Sequence, residues 1–590
     1  MKKKFYFLTA VLLCVVLLFF WKEKSGLWPG KESEGKGTGA PTGTAAPEQE
    51  EPKILKNVWI LSSTENGIAF FFDGKEQTFP TKGRLQEFPK DCVGDLTIQN
   101  GEITALLLKP DKVTAKVLRV DEGEIELEGY GVLPLSEDFS VYRLYDGVEE
   151  EPTGKLLVGS SGNEFVMENG VVCASLLRSK PEFKKIRVVI GTEGYEGYFH
   201  ETVEVTADCA YTVICGEEKE EFQAGEVCRF TKKSFRENSD RRVIVPEKTD
   251  GKITFCNLKR SSGAPSYRGS LEIEGRDEGL LVVNEVTLEE YLYAVLPSEM
   301  PSDFGTEALK AQAICARSYA YMELLANRYA GYGAHVDDSV ACQVYNNTGE
   351  TEAAVLAVKD THGQVLYYEG EIAQCYYFST SSGHTASAAD VWENAEAEAY
   401  LPAKETPYDR KSPWYRWQTF LSLNSLTERV EDALKTRYQV VPEQILTYDG
   451  NRGEFVSKPI KDVGNIKSMQ VYTRGESEIA TGLLVVGSKG VFLVKNEYNI
   501  RTVLAPAKET IYRENGESVA GAKLLPSAFV TLQKGTYEEE TGYLVTGGGY
   551  GHGVGMSQCG ADTMAQEGYS CEEIIEEYYP GTEIGFIYEG

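Results

Sequence analysis

Hydrophobic and polar positions change rhythm twice along this chain. From about residue 53 to 180, short apolar runs alternate with polar positions and are cut by Gly, Asp and Asn: VWILSS, GIAFFFDG, GEITALLLKP, GEIELEGYG. A period of two with turn residues between the runs predicts strands, and their shortness predicts small, barrel-like β modules. Strand patterns continue through KIRVVIG, GSLEIEG and GLLVVNEV. After residue 286 the period becomes helical. Thr287 and Glu290 have capping-box spacing, and Pro297 predicts the end of that first helix. Thr306 predicts a second N-cap, followed by one apolar stripe of Leu309, Ala313, Ala316, Ala320 and Leu324. Lys310 and Arg317, two turns apart, share another face of the same helix. Strands return over 353–380 and again in GLLVVGSKGVFLV and LLPSAFVTL. Near the end, Ser557 and Ser570 predict the N-caps of two short helices, with Gly568 closing the first.

The fold class that follows is α+β. A mixed domain at 185–590, with a helical segment carrying its candidate acid, is preceded by small all-β modules at 53–180. The N-terminus changes the picture further. Three lysines precede an apolar run from Phe5 to Trp21, with Lys22 and Lys24 after it. The run is near the length that spans a bilayer, and no small-residue cleavage site follows it. Residues 1–24 are therefore expected to be an uncleaved anchor. The lysines keep the N-terminus in the cytoplasm, and a single pass puts the remainder outside the cell membrane. Residues 25–52, rich in Gly, Pro, Thr, Ala and Glu, read as a tether.

Charge narrows the partners. The formal net charge of −30 excludes a nucleic-acid backbone. Of 12 cysteines none forms a C-x-x-C pair. Cys209 with Cys215, or Cys228 with Cys256, are candidate disulfides in an oxidising compartment. The glycine run GGGYGHGVGM at 547–556 fits no dinucleotide frame, and no lysine or arginine follows Lys534. It is not a phosphate cradle; its glycines let backbone approach closely, with His552 between them. No H-E-x-x-H and no G-x-S-x-G occurs. His335 and Cys342 in HVDDSVACQVY are two candidate zinc ligands, which is half a site.

Glu299 is the sharpest candidate. It stands between Pro297 and Pro301 with Leu296 and Met300 beside it. A lone glutamate is most often an exposed loop acid. Breakers on both sides and apolar neighbours point instead to a fixed carboxyl in a partly dry pocket, its pKa raised into the range of a proton donor. Cations beside it would pull the other way, so Lys310 and Arg317 are expected to hold substrate rather than touch the acid.

SEMPSDFGTEALKAQAICARSYA, YYFSTSSGHTASAADVW and GGGYGHGVGMSQCGADTMAQEGYSCEEIIEEYYPGT together resemble the three ordered motifs of the stage II sporulation protein D (SpoIID/LytB) family. The likeness covers about 185–590. It implies a peptidoglycan lytic transglycosylase of the bacterial cell wall, a glycan-strand-cleaving lyase that leaves 1,6-anhydro ends. Glu299 would be its general acid and base. Lys310, Arg317, Ser381, Ser382, Gly383, His384, Gly551 and His552 would line the substrate groove. No cofactor is required, although some members bind zinc through a histidine and cysteines. Here a convincing second cysteine near Cys342 is missing, which departs from that pattern. Amidase enhancers in the same family imply a rival, non-catalytic role beside a wall amidase.

Overall fold

The computed structural model describes residues 51–83, 89–181, 183–236, 240–392 and 398–588. Helix and strand are both abundant, as an α+β chain requires. The strands Lys53–Thr64, Gly67–Phe72, Lys75–Pro80, Cys92–Gln99 and Glu102–Lys109 form one antiparallel sheet, with the first strand in the middle. Its third and fifth strands meet through a Thr81–Ile103 bridge, which rolls the sheet around Val58, Ile60, Phe70 and Leu96. Residues 112–177 make a second sheet around Val117, Ile125, Leu127 and Phe165. Trp59, Tyr142 and Val166 join the two modules. An eight-stranded sheet follows, with Lys185–Val189 lying between Leu280–Thr287 and the short strand Val336–Asp337.

Helices α1 (Leu288–Glu299), α2 (Thr306–Ala326) and α3 (Glu352–Asp360) come next, then α4 (Ala388–Val391), α5 (Leu423–Val440), α6 (Glu497–Val503), α7 (Gln558–Gln566) and α8 (Cys571–Tyr578). α2 is the hub: α1, α3, α7, α8 and the strand Gln364–Tyr368 all pack on it. The predicted stripe is its core face, with Leu309, Ala313, Ala316, Ala320 and Leu324 all buried. Thr287, Ser557 and Ser570 cap α1, α7 and α8 through their hydroxyls. Two boundaries differ from expectation. α1 runs through Pro297 to Glu299, because a proline in the last turn removes only one ladder bond, while the Ser298 hydroxyl donates to Ala294 O at 2.7 Å. The N-cap of α2 is Gly305 rather than Thr306. Its N–H goes to Asp562 Oδ1, and a Cβ there would lie 2.6 Å from Ala565 of α7.

Between α5 and α6 a second five-stranded sheet, Ile445 to Lys495, is inserted. Its first strand pairs with its last in antiparallel register, Ile445 opposite Val494, so the chain enters and leaves side by side.

Several expectations are corrected. The anchor at 1–24 lies outside the described residues, as does the tether apart from its last two positions. Among the described residues no helix is long and apolar enough to cross a membrane. The single-pass placement at the cell membrane is therefore withdrawn. The eleven described cysteines are all free. Cys228 and Cys256 lie on opposite sides of the strand Thr202–Ala207, two strand spacings apart and beyond disulfide reach.

Candidate functional site: a half-buried carboxyl at a helix end

Glu299 is the last residue of α1. Pro297 stiffens the turn before it, and Met300 leaves the helix in extended backbone at φ −128°. Its carboxylate is half-buried and accepts the Val344 N–H at 2.6 Å. Burial pushes its pKa from the usual 4.5 up to about 7, against the smaller lowering effect of that hydrogen bond. No cation contributes. A carboxyl with a pKa near neutrality can give a proton and take one back at the same pH.

A polar network buttresses the site. Tyr291, eight residues earlier on α1, donates to Gln343 Oε1 at 3.3 Å. Gln343 Nε2 donates to Ala316 O of α2 and to the Tyr377 hydroxyl at 2.9 Å. Burial raises the Tyr377 phenol, and the nearby Glu299 carboxylate raises it further. Gln343 thus spans α1, α2 and the strand Tyr377–Phe378, while the next residue supplies the N–H to Glu299.

That strand is where the second and third motifs meet. Tyr377–Phe378 runs parallel to Met556–Ser557, and backbone bridges join Thr380 to Tyr550 and Ala386 to Val554. The glycines serve this approach: Gly551 has φ +118°, and a Cβ there would lie 2.7 Å from Phe378 Cβ. Buried Asp409 fastens the two motifs from below. Its Oδ1 accepts the Ser381 N–H at 2.9 Å and the Ser557 hydroxyl, and burial pushes its pKa up to about 6.

The expected groove residues separate into two groups. Ser382 is half-buried, His384 is exposed and Gly551 is half-buried, so all three present surface; Gly383 is buried with φ +100°. Ser381 is 1% exposed, with its N–H on Asp409 and Ser557 and its hydroxyl accepting from Gly383 N. His552 lies among Tyr376, Phe378 and Trp392. Its Nε2 donates to Tyr377 O, its Nδ1 accepts from Val554, and burial lowers its pKa to about 4. It is a neutral brace under the Tyr377 strand.

Of the two cations, only Lys310 keeps any exposure to solvent. Arg317 is 0% exposed. It forks onto Glu289 at 2.9 and 2.7 Å and donates to the carbonyls of Gln364 and Val358. With its donors engaged inside the protein, it ties α1, α3 and the strand Gln364–Tyr368 to α2 and has no face for a ligand. Lys310 is half-buried and pairs with Glu307 at 2.9 Å, with Asp360 at 3.8 Å.

His335 cannot ligate zinc as placed. It is buried, its Nδ1 accepts from Arg187 N at 3.0 Å and its Nε2 donates to Val158 O at 2.7 Å, which occupies both ring nitrogens. The Cys342 thiol lies 3.7 Å from the Tyr329 hydroxyl, and burial raises its pKa well above the usual thiol value. Among the described residues no group of three or more His, Cys, Asp or Glu is gathered to hold an ion. Among the described residues, His335 and Cys342 are not brought together as a zinc pair.

Sequence reasoning missed Tyr291, Gln343, Tyr377 and Asp409. Tyr377 stood inside the second motif and could have been singled out. Asp409 lies in a stretch with no local pattern, and only the fold brings it under the motifs.

Comparison with known proteins gives the chain's relatives. The model of the Stage II sporulation protein family, SpoIID, matches residues 276–368, which include α1, α2 and Glu299. A domain of unknown function, DUF8618, matches residues 442–555, the inserted sheet through most of the glycine run. The chain is 31% identical over 305 residues to the amidase enhancer of Bacillus subtilis, covering 49% of this chain and 40% of that one. It is 28% identical over 319 residues to stage II sporulation protein D of the same organism, covering 51% and 75%. It is 30% identical over 319 residues to an uncharacterized protein of Brachyspira hyodysenteriae, covering 54% and 72%. The class these define is one of proteins with a cell-wall-related role. The chain belongs to the SpoIID family.

Proposed function

We propose that the protein is a peptidoglycan lytic transglycosylase acting in cell-wall remodelling linked to sporulation. The observation that carries this reading is Glu299: one half-buried carboxyl, held near pKa 7, with no cation contributing to that value. Hydrolytic glycosidases use two carboxyl groups, one as acid and one as nucleophile or base. One suffices when the substrate carries its own nucleophile. Protonated Glu299 gives its proton to the glycosidic oxygen between N-acetylmuramic acid and N-acetylglucosamine, and the C1–O bond breaks. The muramic C6 hydroxyl then bonds to C1 and returns its proton to the carboxylate. The products are a 1,6-anhydro end and a new free sugar hydroxyl, with Glu299 restored. Ser382, His384 and Gly551 supply surface for the strand, and Lys310 is its candidate cation at the edge of α2.

The test is incubation of the full chain with purified glycan strands, read by mass spectrometry for 1,6-anhydro ends. Products are expected from the wild type and from Asp303→Asn, an exposed acid nearby, and none from Glu299→Gln. Products from Glu299→Gln at the wild-type rate would refute the assignment.

The second reading is a wall-binding enhancer of an amidase without catalysis, favoured by the likeness to the Bacillus subtilis amidase enhancer. It predicts strand binding with no anhydro ends, and faster release of stem peptides when a wall amidase is added.

A further inference from the structure

The glycine run holds one large side chain at the surface. Tyr550 is 43% exposed and fixed from two directions. Its N–H donates to Thr380 O at 2.8 Å, and its carbonyl accepts the Thr380 N–H at 3.1 Å. Its ring leans on Trp414, centroids 4.9 Å apart. Trp414 is itself held: its carbonyl accepts the Gly549 N–H, and the Arg513 guanidinium lies 4.8 Å from its ring. An aromatic ring so restrained loses little freedom when something stacks on it.

Beside it lies an exposed cation. Arg416 rests 3.9 Å from the centre of the Tyr415 ring and donates to the carbonyls of Ser382 and Tyr415 at 2.9 and 2.7 Å. Gly548 makes this fold-over possible, since a Cβ there would lie 2.9 Å from Arg416 Nη1 and 3.1 Å from Ser382 Cβ. Among the described residues no carboxylate pairs with Arg416, in a chain with 90 acids to 60 bases. A rigid exposed ring next to a rigid, uncompensated guanidinium complements a strand that alternates sugar faces with carboxylate-bearing units. Sugar C–H groups pack on the electron-rich face of an aromatic ring, and a guanidinium fork matches a carboxylate.

We propose that Tyr550 and Arg416, braced by Trp414 and Tyr415, form a further glycan subsite that stacks a sugar ring and pairs an acidic group of the same strand. The inference rests on the glycan-strand reading above. Thr380, bridged to Tyr550, is three residues beyond Tyr377, the phenol that the Glu299 carboxylate influences.

The experiment uses the full chain carrying Glu299→Gln, which binds without turnover. Peptide-free glycan strands and a single disaccharide are titrated separately by calorimetry. Adding Tyr550→Ala or Arg416→Ala is expected to weaken strand binding about tenfold each, with disaccharide binding unchanged. Arg416→Lys is expected to recover part of the loss. Tyr448→Ala, a tyrosine of similar exposure in the inserted sheet, should leave both affinities as they were. Unaltered strand affinity in both alanine variants overturns the subsite, as does an absence of strand binding in the parent. Anhydro-end formation by the wild type is a separate readout, so a subsite without catalysis and catalysis without the subsite give different results.

Discussion

A single carboxyl poised near neutrality makes two predictions of opposite kind. As a proton donor, Glu299 must be protonated when strand binds, so the rate of anhydro-end formation should fall about tenfold per pH unit well above 7. As a buried acid, it costs stability. Its folded pKa, about 7, exceeds the ordinary 4.5, so the folded state binds the extra proton. Its stabilising contribution is complete below the ordinary value and is lost as pH rises through 7. Glu299→Gln should thus be inactive yet more stable than wild type at pH 8, by about 1–3 kcal/mol in urea unfolding. A residue kept for structure would give the reverse. The flanking prolines and apolar neighbours made this side chain legible in the sequence. The Val344 N–H, the Gln343 bridge and Asp409 were not, since each reaches its partner across many residues of chain. The same limit misassigned Arg317: helical spacing gives the face of a residue but not what covers that face.

Helices and loops carry the cost of bringing three motifs together. The Arg317–Glu289 pair joins α1 to α2 in the interior, and removing one member leaves a charge buried alone. Arg317→Met is expected to lose about 3–5 kcal/mol of unfolding free energy, whereas Lys310→Met, at a partly solvated pair, should lose less than about 1. Urea titration of the two variants separates them, and any effect of Lys310→Met on cleavage belongs in KM. Gly551→Ala must put a side chain at φ +118° against Phe378, and should cost about 1–3 kcal/mol. The glycine run suggested close approach from the sequence; that the partner is the second motif's own backbone came only from the fold. Period and capping residues gave α1, α2, α7 and α8, but α3 occupies the start of a stretch expected to be strand, and α5 and α6 were not foreseen. Helix ends depended on neighbours, as Gly305 against Ala565 illustrates.

At the scale of the molecule, the module at 112–177 is built into the rest. Arg241 pairs with Glu126, Lys116 with Glu285, and the α2 C-cap residue Asn327 exchanges hydrogen bonds with Val158 N and Leu156 O. His335 gives its Nε2–H to Val158 O. A chain beginning at residue 181 would leave Glu285 with less counter-charge and His335 with an unmatched donor. It is expected to melt well below the full chain in calorimetry, although every motif residue is retained. Alternation in the sequence was enough to give strands in 53–180, but not the ion pairs that lock them to the helical part, because neither partner carries a local signal. The inserted sheet at 445–495 has the opposite relation to its host. Since Ile445 and Val494 already face each other, a tight hairpin could stand in for the whole excursion without altering the distance the flanking helices must bridge.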